Sequence, residues 1–292
     1  MLIKFVIPLD RNGFIGDNWK KCSFPRKKGT PMNRQLITPA RDDVPEVFRP
    51  LLDGAHIYDS SCSPQAQVWF IAKDVGYYLK RSAAGTLKKE AALTEFFHSR
   101  ALGPRVLAYE SLEYDWLLTA RIPGEDCTFQ AYLDDPARLC DTTAELLRML
   151  HGSDFSGCPI PDRTAEYLAA AERNHRAGKF DMTLFSGEWS YSSPDAAWAV
   201  AEKYGPSLKS DALIHGDYCL PNIMLDHWRF SGFIDLDTGG VGDRHVDLFW
   251  GAWSLQFNLK TDAYKQRFLD AYGRADIDED LFPVIAAIEV FG

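Results

Sequence analysis

Long apolar runs are missing from these 292 residues; a membrane-spanning helix needs about 20 consecutive apolar residues, so no membrane partner is expected. The opening Met1-Leu2-Ile3-Lys4-Phe5-Val6-Ile7-Pro8 is broken by Lys4 and Pro8 and is followed by no small-residue cleavage site, so no secretory leader is expected either. The six cysteines (22, 62, 127, 140, 158 and 219) form no C-x-x-C pair and have no histidines at zinc-finger spacing. In a core-rich chain of this length they read as scattered reduced thiols of a cytoplasmic protein. Basic charge is concentrated at one end. Residues 1–50 carry ten Lys/Arg against five Asp/Glu, which leaves a net −14 on the remainder of a chain whose total is −9. A body this acidic argues against a nucleic-acid partner and is compatible with a small cationic substrate. Glycine-rich phosphate loops are also absent: there is no Walker sequence and no G-x-G-x-x-G.

What is present is an ordinary globular composition, 46% hydrophobic and 25% charged, long enough for two lobes. Residues 1–46 show no sustained periodicity, hold Lys20-Lys21 and Arg26-Lys27-Lys28, and read as an N-terminal extension and a candidate for disorder. Met32 is a candidate natural start, with residues 1–31 dispensable. Residues 47–120 read mostly as strands: a hairpin of Val68–Ala72 and Val75–Arg81 across Lys73-Asp74, and a strand Trp116–Ala120. One helix, Thr86–Arg100, carries Leu87, Leu93 and Phe97 on one side. After the break at Ile122-Pro123-Gly124, residues 121–292 are mainly helical, with segments over 136–151, 164–177, 194–204, 245–258, 262–272 and 278–290. The expected class is α+β: a small antiparallel-sheet lobe followed by a larger helical one.

The chemistry-bearing stretch is His215-Gly216-Asp217-Tyr218-Cys219-Leu220-Pro221-Asn222, followed by Phe233-Ile234-Asp235. Strands ending at Leu213-Ile214 and running over Ile223–Leu225 and Phe230–Ile234, joined by a turn at 226–229, put Asp217 and Asn222 on one loop. Asp235 follows at the end of the returning hairpin. In-line phosphoryl transfer needs a group to orient the attacking hydroxyl and oxygen ligands for Mg²⁺ on a nucleotide; a carboxylate, a carboxamide and a second carboxylate can supply both. Lys80 and Glu90 form a second constellation. Glu90 shares the helical face of Leu87, Leu93 and Phe97, where an ionised carboxylate needs a partner, and a lysine on the adjacent strand can be one. Glu90 at a rim, reaching for water, is the bland reading. The polar loop Asp59-Ser60-Ser61-Cys62-Ser63-Pro64-Gln65 occupies the place of a phosphate loop, and Ser60, Ser61 and Ser63 are candidates to cap phosphate oxygens; an ordinary turn is the alternative. His215 reads as a brace for the loop, Asp247 as an anchor for a helix start or for the loop, and the aromatic run Phe249, Trp250, Trp253, Phe257 as core.

These motifs resemble the aminoglycoside phosphotransferase family, closest to its 3′-phosphotransferases. The likeness runs from about Arg49 to the C-terminus, strongest in His215-Gly216-Asp217 through Asn222, Ser231-Gly232-Phe233-Ile234-Asp235 and Gly242-Asp243-Arg244. It is supported by Ser63-Pro64, Tyr78-Leu79-Lys80, Glu90, Leu150-His151-Gly152-Ser153-Asp154 and Cys158-Pro159. The resemblance implies a two-lobed protein-kinase-like fold that moves the γ-phosphate of ATP, or in some members GTP, to a hydroxyl of an aminocyclitol antibiotic. It implies Asp217 as the catalytic aspartate, Asn222 and Asp235 as Mg²⁺ ligands, Lys80 with Glu90 as the phosphate clamp, and the backbone of Thr119 to Arg121 as the adenine hinge. Departures fall on the acceptor side. Thr238 stands where the family usually places an arginine, and the loop Ser186-Gly187-Glu188-Trp189-Ser190-Tyr191 holds one carboxylate. The C-terminal pattern is reduced to Ile288-Glu289-Val290-Phe291 before Gly292. Glu188 and Glu289 are therefore the candidate ammonium contacts. A metabolic kinase acting on an amino alcohol or a sugar is the rival within the fold, and a nucleotide-binding pseudoenzyme the rival outside catalysis. A protein kinase is disfavoured because D-F-G and A-P-E segments are missing.

Overall fold

Alternation of apolar and polar residues at period two builds the sheet of this protein, whose computed structural model describes residues 35–61, 66–185 and 187–292. The described residues fall into two units, one running up to Glu125 and including Met224–Asp237, the other made of Asp126–Ile223 and Thr238–Gly292. In the first unit lie β1 (Gln35–Ile37), β2 (His56–Asp59), β3 (Ala66–Ala72), β4 (Tyr77–Ala83), β5 (Val106–Ser111) and β6 (Tyr114–Ala120), with helices α1 (Arg49–Leu52) and α2 (Lys88–His98). The strands form one antiparallel sheet in the order β1-β2-β3-β4-β6-β5. Leu79 of β4 sits between Trp69 and Leu118 in register. With Ile57, Ile71 and Trp116 these side chains make one apolar face, against which Val44 and Phe48 pack. The next residue along β4, Lys80, therefore points to the opposite face, where Leu87 and Ala91 pack on Leu117.

Residues 35–46 differ from the expected extension. Gln35–Ile37 is hydrogen-bonded to β2, and Val44 is wholly buried, because a sheet with an apolar outer face needs a cover and the segment before α1 supplies it. Met32 lies outside the described residues. The units divide at Glu125/Asp126, inside the two-residue strand β7 (Glu125–Asp126), instead of at 120/121. Val75, read as the start of a strand, is 70% exposed in the turn before Tyr77.

In the second unit are α3 (Gln130–Leu133), α4 (Pro136–His151), α5 (Arg163–Arg176), α6 (Pro194–Tyr204) and the short strand β8 (Ala212–Ile214). After it the hairpin β9 (Ile223–Asp226) and β10 (Arg229–Phe233) runs largely in the first unit. The chain then returns through β11 (Gly240–Gly242), which pairs with β8, to α7 (Arg244–Leu259), α8 (Lys265–Tyr272) and α9 (Leu281–Glu289). Four of these helices start where a side-chain oxygen accepts from a first-turn N–H: Asp135 before α4, Asp162 before α5, Ser193 before α6 and Asp243 before α7. Among the described residues no helix is long and apolar enough to cross a membrane.

Helix α2 has no side-chain cap of its own. Asp115, from β6, does that work: its Oδ2 accepts from the Leu87 N–H at 2.9 Å and from the Tyr109 hydroxyl at 2.9 Å. Asp115→Ala is expected to cost about 1–3 kcal/mol of stability by leaving both donors unmatched, and Asp115→Asn, which keeps one acceptor, less. Urea midpoints of the two variants check this.

Candidate active site

The loop between β8 and the following hairpin is shaped by a carboxylate from elsewhere in its unit. Asp247, in the first turn of α7 and fully buried, accepts from the backbone N–H groups of His215 and Gly216, both at 2.7 Å. His151 Nε2 lies 3.2 Å from the same carboxylate. A carboxylate only accepts, so Nε2 carries the proton, and His151 Nδ1 takes the Tyr272 hydroxyl at 2.8 Å. Two successive N–H groups aimed at one residue demand a sharp turn. Gly216 provides it with φ +80°, and a Cβ there would stand 2.0 Å from the Thr238 carbonyl oxygen, so no other residue fits. Thr238 in turn donates its hydroxyl to the His215 carbonyl at 3.1 Å. His215, completely buried, accepts the Asp217 N–H on Nδ1 at 3.3 Å, which is the bracing role its position suggested.

Asp217 emerges from this frame half-buried. Asn222 donates its amide nitrogen to the Asp217 carbonyl at 2.9 Å and to Asp217 Oδ2 at 2.8 Å. Both partners are acceptors, so the nitrogen must face them, and among the described residues no donor reaches Asn222 Oδ1. The neighbouring Cys219 thiol is pushed well above its ordinary value, first by burial and then by the Asp217 carboxylate. It stays protonated and is no nucleophile.

In the first unit Lys80 Nζ lies 2.9 Å from Glu90 Oε1 and 3.2 Å from Asp235 Oδ1. Glu90 is 5% exposed, and its second oxygen is buried with no partner among the described residues. Burial pushes the Glu90 carboxyl up to about 7; Lys80 opposes that rise, and the negative charges of Asp237 and Asp235 add to it. Burial alone would lower the Lys80 ammonium, but the attraction of Glu90, Asp235 and Asp237 outweighs it and holds Lys80 well above its usual range. Asp235 carries φ +56°, a conformation that costs a non-glycine residue energy and marks a position held by its surroundings.

The other expected positions divide. Ser61 donates to Asp59 Oδ1 at 2.6 Å and its hydroxyl accepts the Val68 N–H at 2.9 Å, so it organises its own loop. The Ser60 N–H pairs with the Val68 carbonyl, and Ser63 lies outside the described residues. Thr119 is in register with Tyr78 and Val106, and the Arg121 N–H, expected near an adenine, donates to the Gly76 carbonyl at 3.0 Å. Glu188 lies in the helical turn Gly187–Trp189; its side chain is outside what the structure describes. Glu289 corrects an expectation. It is 1% exposed, with Oε1 accepting from Tyr167 at 2.8 Å and from Trp250 Nε1 at 3.3 Å, because α9 is almost entirely apolar and turns its last residue inward. The polar residues after Leu150 and at the start of an apolar helix are the sequence signals for His151 and Asp247.

A sequence model described as "phosphotransferase enzyme family" matches residues 62–283. The chain belongs to that family. This phosphotransferase is 47% identical over 252 residues, 86% of its own length and 96% of the other's, to a protein of Lactococcus lactis subsp. lactis (strain IL1403) named probable aminoglycoside 3′-phosphotransferase. It is 30% identical over 196 residues, 67% of its own length and 74% of the relative's, to an aminoglycoside 3′-phosphotransferase of Niallia circulans. A crystal structure of an aminoglycoside-3′-phosphotransferase of type VIII matches with TM-score 0.66 and 26% identity over 77% of this chain and 88% of that one. The phosphotransferase thus has the two-lobed kinase-like fold that its motifs implied.

The Lys80–Glu90 pair gives a pH prediction. An ordinary glutamate releases its proton near 4.5, whereas the folded phosphotransferase holds the Glu90 proton to about 7. Stability from this site is therefore present below pH 4.5 and is lost as pH rises through 7. Between pH 5 and pH 8 that decline is expected in the wild-type urea midpoint and absent from Glu90→Gln; equal declines in both would refute the assignment.

Proposed function

We propose that this phosphotransferase moves the γ-phosphate of ATP to the 3′-hydroxyl of an aminoglycoside. The observation that carries the reading is the near full-length likeness to the L. lactis protein of that name. Asp217 orients the acceptor hydroxyl and receives its proton as the bond to phosphorus forms. Lys80, paired with Glu90 at 2.9 Å, contacts the nucleotide phosphates, and GTP is an alternative donor. No covalent enzyme intermediate is needed, so positioning and charge compensation supply the rate.

The donor set fits Mg²⁺. Asn222 Oδ1 is turned away from Asp217 by the two bonds its nitrogen makes, and around Lys80 three carboxylates, Glu90, Asp235 and Asp237, face one ammonium. That local excess of negative charge, built of hard oxygen ligands, suits a divalent cation. Asn222 and Asp235 would hold it, and it would neutralise charge on the phosphates. On the acceptor side the acidic body of the chain favours a polycation, and Glu188 remains the candidate ammonium contact. A cytoplasmic location goes with the same reading.

The test is a transfer assay with Mg-ATP on kanamycin A, which bears a 3′-hydroxyl, on tobramycin, which lacks it, and on choline, ethanolamine and glucose. Phosphorylated kanamycin A and untouched tobramycin are expected, and Asp217→Ala should lower turnover by at least about 10³-fold while titration calorimetry still shows nucleotide binding. Transfer to choline or glucose alone would replace the acceptor class, and retained turnover in Asp217→Ala would remove Asp217 from the chemistry.

A further inference from the structure

The first turn of α5 is tied to the 209–243 region on three sides. Asp162 accepts from Ser210 Oγ at 2.7 Å, the Thr164 hydroxyl donates to the Lys209 carbonyl at 2.6 Å and accepts the Asp243 N–H at 3.0 Å, and the Val241 N–H donates to the Ile160 carbonyl at 2.9 Å. Between these ties projects Arg163, 9% exposed. Its stem runs along β11, where a Cβ on Gly240 would stand 3.0 Å from Arg163 Cβ. Its Nε donates to the Thr238 carbonyl at 2.7 Å. Its terminal nitrogen is only 3.4 Å from Glu166, whose side chain is 45% exposed, so the ion pair is the weaker attachment.

Thr238 is the residue on which the loop of Asp217 rests. The carbonyl held by Arg163 is the one that fills the space beside Gly216, and the hydroxyl of the same residue holds the His215 carbonyl. We propose that Arg163 is a positioning residue for the Asp217 loop, acting through its Nε–H bond to the Thr238 carbonyl and not through its charge. The inference rests on the reading of Asp217 as the proton acceptor. Arg163 touches neither substrate nor reacting atoms in this scheme; it fixes the height of the shelf on which His215 and Gly216 turn.

Glutamine separates the two possible roles, because its Nε2 lies the same number of bonds from Cα as arginine Nε but carries no charge. Arg163→Met is expected to lower kcat on kanamycin A by about 10- to 100-fold, the size of effect that a small misplacement of a reacting group produces. The KM values for ATP and kanamycin A should stay within about threefold. Amide hydrogen exchange across residues 213–222 should quicken in the same variant. Arg163→Gln should keep kcat within about threefold of wild type and restore slow exchange. Wild-type exchange in Arg163→Met, or equal losses in the methionine and glutamine variants, would overturn the proposal, as would a loss confined to KM. Wild-type protein that leaves kanamycin A unmodified would count against the acceptor reading alone, and the exchange comparison would still decide the role of Arg163.

Discussion

The buried carboxylate of Asp247 is the constraint on which the loop of His215 to Asn222 depends. Removing an ionised carboxylate from water costs several kcal/mol after relaxation, and that cost is offset here by hydrogen bonds from two successive main-chain N–H groups and an imidazole. Because the donors are backbone groups, the interaction dictates chain direction and not merely side-chain position. His215 and Gly216 must present their N–H groups to one point, the chain must turn at positive φ, and Asp217 must leave the turn on the other side. The glycine is required by the close Thr238 carbonyl, and the histidine is required to be buried because its ring receives the Asp217 N–H. A two-residue sequence motif is therefore the visible part of a network that reaches α4, α7 and α8 through His151, Asp247 and Tyr272.

The two clusters use charge differently. Around Asp217 the polar groups are matched donor to acceptor, with the amide of Asn222 spending both its hydrogens on Asp217. Such a site has defined geometry, with the Asp217 carboxylate above the loop turn and the Asp247 carboxylate beneath it. Around Lys80 the balance is deliberately uneven: one ammonium against Glu90, Asp235 and Asp237, with a buried oxygen of Glu90 left over. Burial is the main reason the Glu90 carboxyl is raised, and the charges of Asp237 and Asp235 add to it. The capped start of α2 matters to this cluster, since Asp115 fixes the turn that aims Glu90 at Lys80.

Much of this was legible in the sequence, for reasons that differ from element to element. Helices α4 and α6 begin where Asp135-Pro136 and Ser193-Pro194 announce a cap and a first turn, and their apolar spacing does the rest. The β3–β4 hairpin followed from period two, and period 3.6 put Glu90 on the apolar face of α2 without deciding between a buried pair and an exposed rim. Strand β1 was not legible: three residues with two side chains exposed carry no alternation, and only pairing with β2 makes them a strand. Strand β11 failed for a similar reason, because Gly-Val-Gly offers no pattern and its glycines answer to Ile160 and Arg163, far away in sequence. The partners of His151 and Arg163 could not be recognised from local sequence, although His151 stands in a polar run after Leu150. Each is an ordinary polar residue on an amphipathic helix until the fold brings its partner, Asp247 or Thr238, within reach.

The acceptor side was the least readable part, and Glu289 shows why. A glutamate near a C-terminus and a glutamate facing a cation have the same letter, and what separates them is the direction of the last turn of α9. That direction is set by Phe282, Ile285 and Ile288, which are buried and leave Glu289 to Tyr167 and Trp250. The proposed phosphoryl transfer would constrain backbone, and the backbone features seen here are a glycine at 216, a carboxylate under the loop and a lysine opposite an inward glutamate. Recognition of a flexible polycation constrains only the amount and rough placement of negative charge, which many arrangements of surface carboxylates satisfy. A chain can therefore hold the first set of requirements residue by residue while varying the second freely. In this protein the first kind of demand is visible in Gly216, Asp247 and the Lys80–Glu90 pair, whereas the proposed acceptor side is marked chiefly by the overall acidic charge.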